Sequence, residues 1–250
     1  MQSNGNTILV TGGSSGIGLA LALALQARGN TVLVTGRRQA QLNALTAAHP
    51  GLHAYPLDIT DPAAITALAR QVTADHPALN VLINNAGIMV AEDLLTMPDT
   101  ATAEATVETN LLGPIRLTHA LLPHLLRQAR PVVVNVTSGL ASVPLAATPT
   151  YSATKAAMHS YTQSLRWQLR HTAAQVIELA PPQVATELMP GGSTRPTAMP
   201  LDEFIHETLA LLDAQPGATE LLVERVLPLR RAGASGTYDA VFQALNSRQG

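Results

Sequence analysis

The chain has 250 residues, 46% of them hydrophobic and 13% charged, with 15 basic against 17 acidic side chains and a formal net charge of -2. That balance gives ample apolar surface for a core and no field to hold nucleic acid. The absence of cysteine excludes disulfides, thiolate nucleophiles, cysteine zinc sites and iron–sulfur clusters. One α/β domain over residues 1–250 is expected. The opening Met1 to Asn6 is polar and lacks the charged-then-apolar pattern of a signal peptide. Its longest apolar stretch, Gly18 to Ala27, falls short of the ~20 residues of a membrane span. Neither a membrane nor nucleic acid is an expected partner, and a cytoplasmic location is the expectation.

Apolar runs of strand length occur at Thr7 to Thr11, Thr31 to Thr35, His53 to Leu57, Val81 to Asn84, Pro131 to Thr137 and Gln175 to Leu179. They show little polar alternation, which suits strands buried on both faces of a parallel sheet. Between them, Leu19 to Leu25 alternates Leu with Ala, both strong helix formers, and Gly29 follows as a helix stop. Thr60-Asp61-Pro62 reads as a cap before a proline in the first turn of a helix that runs to about His76. Strand and helix alternating in this way predict a doubly wound, Rossmann-type domain with a mostly parallel sheet. The segment Pro181 to Pro200, with five prolines and two glycines, reads as an ordered loop of the kind that covers a ligand. Tyr238 to Leu245 reads as a short amphipathic helix.

Gly12, Gly13, Ser14, Ser15, Gly16, Ile17 and Gly18 lie between the first strand and the first helix. Unpaired amides at a helix start and the helix dipole attract phosphate, and glycines let it approach the backbone. A tight turn without a ligand is the plainer alternative. Gly12-x-Ser14-x-Gly16 also fits the nucleophile elbow of α/β-hydrolases, although the thirteen residues before Ser14 leave no room for the earlier strands such an elbow needs.

After the second strand the chain reads Gly36-Arg37-Arg38, with no carboxylate. An acid there would bond the ribose hydroxyls of NAD; two guanidinium groups suit the 2′-phosphate of NADPH instead. A solvated helix start is the alternative for both arginines. Further on, Ser138 follows the fifth strand, and Tyr151 and Lys155 share one face of a helix. An ammonium beside a phenol is expected to lower its pKa, making Tyr151 a general acid. Taken singly, Tyr151 and Lys155 also read as a surface pair and Ser138 as a loop-bonding hydroxyl. His119 and His124 are spaced off a shared helical face and no His-Glu-x-x-His is present, so no metal site is expected.

Together these residues resemble the short-chain dehydrogenase/reductase family: TGGSSGIG at Thr11 to Gly18, Asp58, NNAG at Asn84 to Gly87, Asn110, Ser138, and YSATK at Tyr151 to Lys155. The resemblance implies that Tyr151 donates the proton, Lys155 lowers its pKa and holds the nicotinamide ribose, Ser138 positions the carbonyl and Asn110 supports a relay water. It implies that Asp58 and Ile59 flank adenine, that Asn85, Ala86 and Gly87 line the adenosine-ribose side, and that Val184 and Thr186 hold the carboxamide. The plainer readings are a helix cap for Asp58, a turn for NNAG and a helix end for Asn110. Two departures stand out. Pro182 replaces the glycine common before the equivalent of Val184, and no glycine-rich ending follows Glu220 to Val226.

The expected function is therefore NADPH-dependent reduction of a small ketone or aldehyde, reversible to the alcohol, by a homodimer or homotetramer. Alternatives are an NADPH-binding sensor without turnover and a Ser14 hydrolase. Met89, Val90, Leu140, Leu188, Met189 and Met199 are expected at the edge of an apolar substrate pocket, with core packing as the competing role. The small residues Ala153, Ala156, Ala157 and Ser160 are expected to let another helix approach.

Overall fold

Each apolar run becomes a strand in the computed structural model, which describes residues 1–96 and 100–247. The first half runs β1 (Thr7–Val10), α1 (Gly16–Ala27), β2 (Thr31–Gly36), α2 (Gln39–Ala48), β3 (Leu52–Pro56), α3 (Pro62–Asp75) and β4 (Leu79–Asn84). Then come α4 (Thr100–Val107), a π-helical turn at Glu108–Leu112, α5 (Gly113–Leu125), β5 (Val132–Val136), α6 (Pro149–Gln168) and β6 (Gln175–Leu179). The chain continues through α7 (Leu201–Ala214), β7 (Glu220–Leu221), α8 (Leu227–Arg231) and α9 (Tyr238–Ser247).

The seven strands form one sheet in the order β3-β2-β1-β4-β5-β6-β7, parallel throughout. Side chains alternate across it. Ile8, Val10, Val34, Ile83, Val134 and Ile177 face a core closed by Leu21 and Leu25 of α1 and Phe204 and Leu209 of α7. Leu9, Leu33, Leu82, Val133 and Val176 face a second core closed by Leu68 of α3, Leu117 and Leu121 of α5 and Leu165 of α6. Two cores on one sheet explain why the strands lack polar alternation.

Helix starts follow local chemistry. The Asp61 carboxylate accepts from Ala63 N at 2.7 Å and Pro62 takes the first helical position of α3. Gly29 adopts φ +82° just past α1, where the helix was expected to stop. Strand limits move by one or two residues from expectation: β3 begins at Leu52, which pairs with Val32, while Leu57 lies past the strand yet still donates to Gly36 O. The Leu19 to Leu25 alternation is helical, since neither residue type is β-branched.

Strand order reverses at β1 and β4, which lie side by side while their following helices depart to opposite faces. A crevice opens beyond their C-terminal ends, where ligands bind in open α/β sheets.

Candidate active site

Two loops meet over this crevice. The Thr11 hydroxyl accepts from the amides of Asn85 and Ala86, both at 3.0 Å, and the Asn85 side-chain amide donates to Thr11 O at 2.9 Å and Gly12 O at 3.3 Å. Their approach leaves no room for side chains. A Cβ on Gly12, whose φ is +63°, would stand 2.9 Å from Ala86 Cα, and one on Gly18 would stand 2.5 Å from Gly12 O. Asn85 thus acts as a strut for the glycine loop, and Ala86 and Gly87 continue along the crevice.

The first ladder bond of α1 runs from Leu19 N to Ser15 O, and the Ser15 side chain caps nothing. The amides of Gly16, Ile17 and Gly18 stand outside that ladder, the donor set a pyrophosphate requires. Thr186 lies over this turn, its Cγ2 3.6 Å from the position of a Cβ on Gly16. The hydroxyl of Ser14 instead faces the end of β2, 2.9 Å from the position of a Cβ on Gly36. Arg37 and Arg38 follow there, both exposed and, among the described residues, without an ion-pair partner. Asp58 is exposed beyond β3, its carboxylate accepting from Thr60 N at 3.0 Å and Thr60 Oγ1 at 2.7 Å. These bonds hold its pKa below the usual carboxylate range, with Arg37 adding to the effect. Ile59 is buried against Gly113. Ser14 has no histidine partner among the described residues, so the elbow lacks its base.

Tyr151 and Lys155 sit on adjacent turns of α6, only 6% and 5% exposed, with Lys155 Nζ 5.5 Å from the Tyr151 ring centroid. The ammonium donates to Val136 O at 2.8 Å, which ties α6 to the end of β5. Ser138 follows β5. It lies within hydrogen-bonding reach of the Tyr151 hydroxyl and also accepts from Leu140 N at 3.1 Å. Asn110 lies in the π-helical turn, where an inserted residue redirects side chains. Its Oδ1 accepts from Ile88 N and its Nδ2 donates to Ile88 O, both at 2.8 Å, so it holds the loop after β4. Gly87 joins the groups: a Cβ there would lie 3.3 Å from Asn110 Oδ1 and 3.8 Å from Lys155 Nζ.

Burial pushes the Tyr151 phenol up to about 12, with the Ser138 hydrogen bond pulling the other way, and pulls the Lys155 ammonium down to about 8. Lys155 is not among the groups that shift the phenol. Its ammonium is turned toward Val136 O.

At the expected pocket edge, one residue is corrected. Met199 is 5% exposed and packs in the core, pinned by Ala185 N to Met199 O and Met199 N to Gln183 O, each 2.8 Å. Val184, in a parallel bridge with Met199, is likewise buried. Val90 and Leu188 are exposed at 43% and 42%, and Met89, Leu140 and Met189 are half-buried.

Sequence reasoning missed Glu92. Its two carboxylate oxygens accept from Thr150 N at 3.0 Å and Thr150 Oγ1 at 2.8 Å, capping α6 from a distant loop. Thr148, the local cap position, makes no side-chain cap. Asn246 of α9 was missed too: it accepts from Ala146 N at 2.6 Å and donates to Pro144 O at 3.3 Å, bracing the loop between Ser138 and Tyr151. No motif marks either residue, because each meets its partner only through the fold.

Comparison with known proteins matches residues 6–195 to the short chain dehydrogenase family model. The chain is 38% identical over 254 residues to the uncharacterized oxidoreductase DltE of Bacillus subtilis, covering 100% of both chains. It is 28% identical over 250 residues to sulfoacetaldehyde reductase of Chromohalobacter salexigens, covering 93% of this chain and 97% of the relative. Its fold matches a short chain dehydrogenase from Burkholderia cenocepacia, solved in complex with NADP, at TM-score 0.84 and 28% identity, over 98% and 99% of the two chains.

The buried ammonium has a measurable cost. A lysine whose pKa falls from 10.5 to about 8 on folding destabilises the protein by about 3 kcal/mol below pH 8. Over the window from 8 to 10.5 the unfolded chain binds more protons than the folded one, so the penalty disappears as pH rises. Lys155→Met should therefore melt higher than wild type at pH 7 in the absence of cofactor, and the gap should close toward pH 10.5. Thermal unfolding across this range checks it; an unchanged or growing gap contradicts the assignment.

Proposed function

This chain belongs to the short chain dehydrogenase family of oxidoreductases, and we propose that it is an NADPH-dependent carbonyl reductase acting on a small ketone or aldehyde. The observation that carries this reading is the convergence of buried Tyr151 and Lys155 with Ser138 at the end of β5, beside the crevice over β1 and β4. NADPH, when bound, supplies the hydride. Gly12, Ser15, Gly16, Ile17 and Gly18 would hold its pyrophosphate, and Ser14, Arg37 and Arg38 its 2′-phosphate. Asp58 and Ile59 would flank the adenine, Asn85, Ala86 and Gly87 the adenosine-ribose side, and Val184 and Thr186 the carboxamide.

A phenol with a pKa near 12 stays protonated across the neutral range, which suits a general acid for reduction. Tyr151 donates its proton to the carbonyl oxygen as negative charge develops there, and the Ser138 hydroxyl hydrogen-bonds the same oxygen. Lys155 keeps a positive charge next to the phenol and holds the nicotinamide ribose. Asn110 keeps the loop after β4 in place and supports the relay water that returns a proton to Tyr151. Preference for NADPH rests on the exposed guanidinium pair after β2, where no carboxylate stands. The NADP complex of the Burkholderia relative supports the same preference.

The α6 face bearing exposed Ala153, Ala156 and Ser160 with Trp167, 68% exposed, supports association with a second copy. Light scattering at micromolar concentration should report a dimer or tetramer; a fully active monomer contradicts this. Arg37→Asp should weaken NADPH about ten- to a hundredfold and leave NADH nearly unchanged, as read by fluorescence titration. NADPH and NADH constants unchanged from wild type would remove Arg37 from the phosphate site. The function itself is tested by following NADPH absorbance against aryl ketones, keto esters and aldehydes. Tyr151→Phe should lose about a hundred- to ten-thousandfold in turnover while keeping its affinity for NADPH. Turnover surviving in Tyr151→Phe would overturn the assignment.

A further inference from the structure

The catalytic stripe of α6 does not end at Lys155. Tyr151, Lys155, His159 and Gln163 recur every four residues on one helical face. Directly below Lys155, His159 Nδ1 meets Glu178 Oε2 of β6 at 2.7 Å. Glu178 is 1% exposed, a carboxylate in the interior of the sheet, and its other oxygen accepts from Thr137 Oγ1 at 2.6 Å. Thr137 immediately precedes Ser138. One turn further along α6, Asn135 Nδ2 donates to Thr162 Oγ1 at 2.8 Å. The contact between the catalytic helix and the strands beneath it is therefore a row of directional bonds where most of the protein has apolar packing.

That choice of residues calls for a reason. A buried carboxylate loses its hydration, and an apolar residue of similar size would pack at lower cost. Hydrophobic contacts tolerate sliding; hydrogen bonds near 2.7 Å do not. The cluster also holds its own cation. Ligand atoms of His159, Glu178 and Glu220 lie within 4.8 Å of one another, yet both Glu178 oxygens are taken and Arg230 pairs with Glu220.

We propose that Glu178, His159 and Thr137 form a positioning network that fixes the register of α6 against β5, so that the Tyr151 and Ser138 hydroxyls reach one carbonyl oxygen. The inference rests on the reductase reading of that oxygen. Glu178 grips both sides of the active site at once, the segment after β5 carrying Ser138 through Thr137 and the helix carrying Tyr151 through His159. None of the three touches substrate.

The test measures kcat, KM and NADPH Kd for wild type, Thr137→Val, Thr137→Ser and Glu178→Leu on an aryl aldehyde. It is joined by crystal structures of wild type and Thr137→Val, which need no turnover. A misplacement of ~1 Å costs about a hundredfold in rate, so Thr137→Val and Glu178→Leu should lose about ten- to a hundredfold in kcat. NADPH Kd should stay within about twofold, and Thr137→Ser, which keeps the hydroxyl, should recover to within about threefold of wild type. The Tyr151 to Ser138 separation should widen in Thr137→Val. Three kinetic outcomes overturn the proposal: wild-type kcat in Thr137→Val and Glu178→Leu, loss of NADPH affinity in step with kcat, or a Thr137→Ser defect as large as that of Thr137→Val. Should Glu178→Leu fail to fold, the two Thr137 variants decide. If wild type reduces no carbonyl, the reductase reading falls separately, and an unmoved separation in the Thr137→Val crystal overturns the network by itself.

Discussion

The rest of the site depends on one hydroxyl. Thr11 accepts two amide hydrogens from Asn85 and Ala86 at the point where β1 and β4 end, and the Asn85 side chain answers by donating to Thr11 and Gly12. These bonds join the glycine loop before α1 with a loop that passes Lys155 and Asn110. Without them the two central strands would end in independent segments, and the distance between the glycine loop and Tyr151 would be unfixed. Glycine at positions 12 and 18 follows from this junction, since a side chain at either would strike the neighbouring loop.

Much of this was legible in the sequence, for identifiable reasons. Double-faced burial writes itself as unbroken apolar runs, so the strands and the parallel sheet could be read directly. The spacing of Tyr151 and Lys155 is a property of any helix and survives without tertiary knowledge. The pairings Glu92 with Thr150 and Glu178 with His159 join residues 58 and 19 positions apart through a fold that only the whole chain specifies. The π-helical turn at Asn110 leaves no compositional trace either, because one inserted residue changes no periodicity long enough to count. Met199 was misplaced for a related reason: an apolar residue in a proline-rich loop looks available until the loop's base is found to close as a bridge.

Electrostatics divides the interior in two. One face of the sheet is closed by α1 and α7 around an aliphatic and aromatic cluster. The face under α6 carries Asn84, Asn135, Thr137 and Glu178, each buried and each bonded to a side chain of a helix or a neighbouring strand. The apolar side contributes cohesion and the polar side contributes alignment. Lys155 belongs to this second side, a buried cation held at a cost in stability.

The bridge between Val184 and Met199 has a consequence for how this protein can change over generations. It closes the base of the loop with bonds made entirely by backbone atoms, so no side chain between 186 and 198 is needed to hold the loop's two ends together. Residues at the exposed tip, Leu188 among them, are thereby released from any duty to the core. Substitutions there leave the sheet, the glycine loop and the Tyr151–Lys155 pair as they are. A lineage carrying this loop can drift at a few surface positions with the fold insulated from the change.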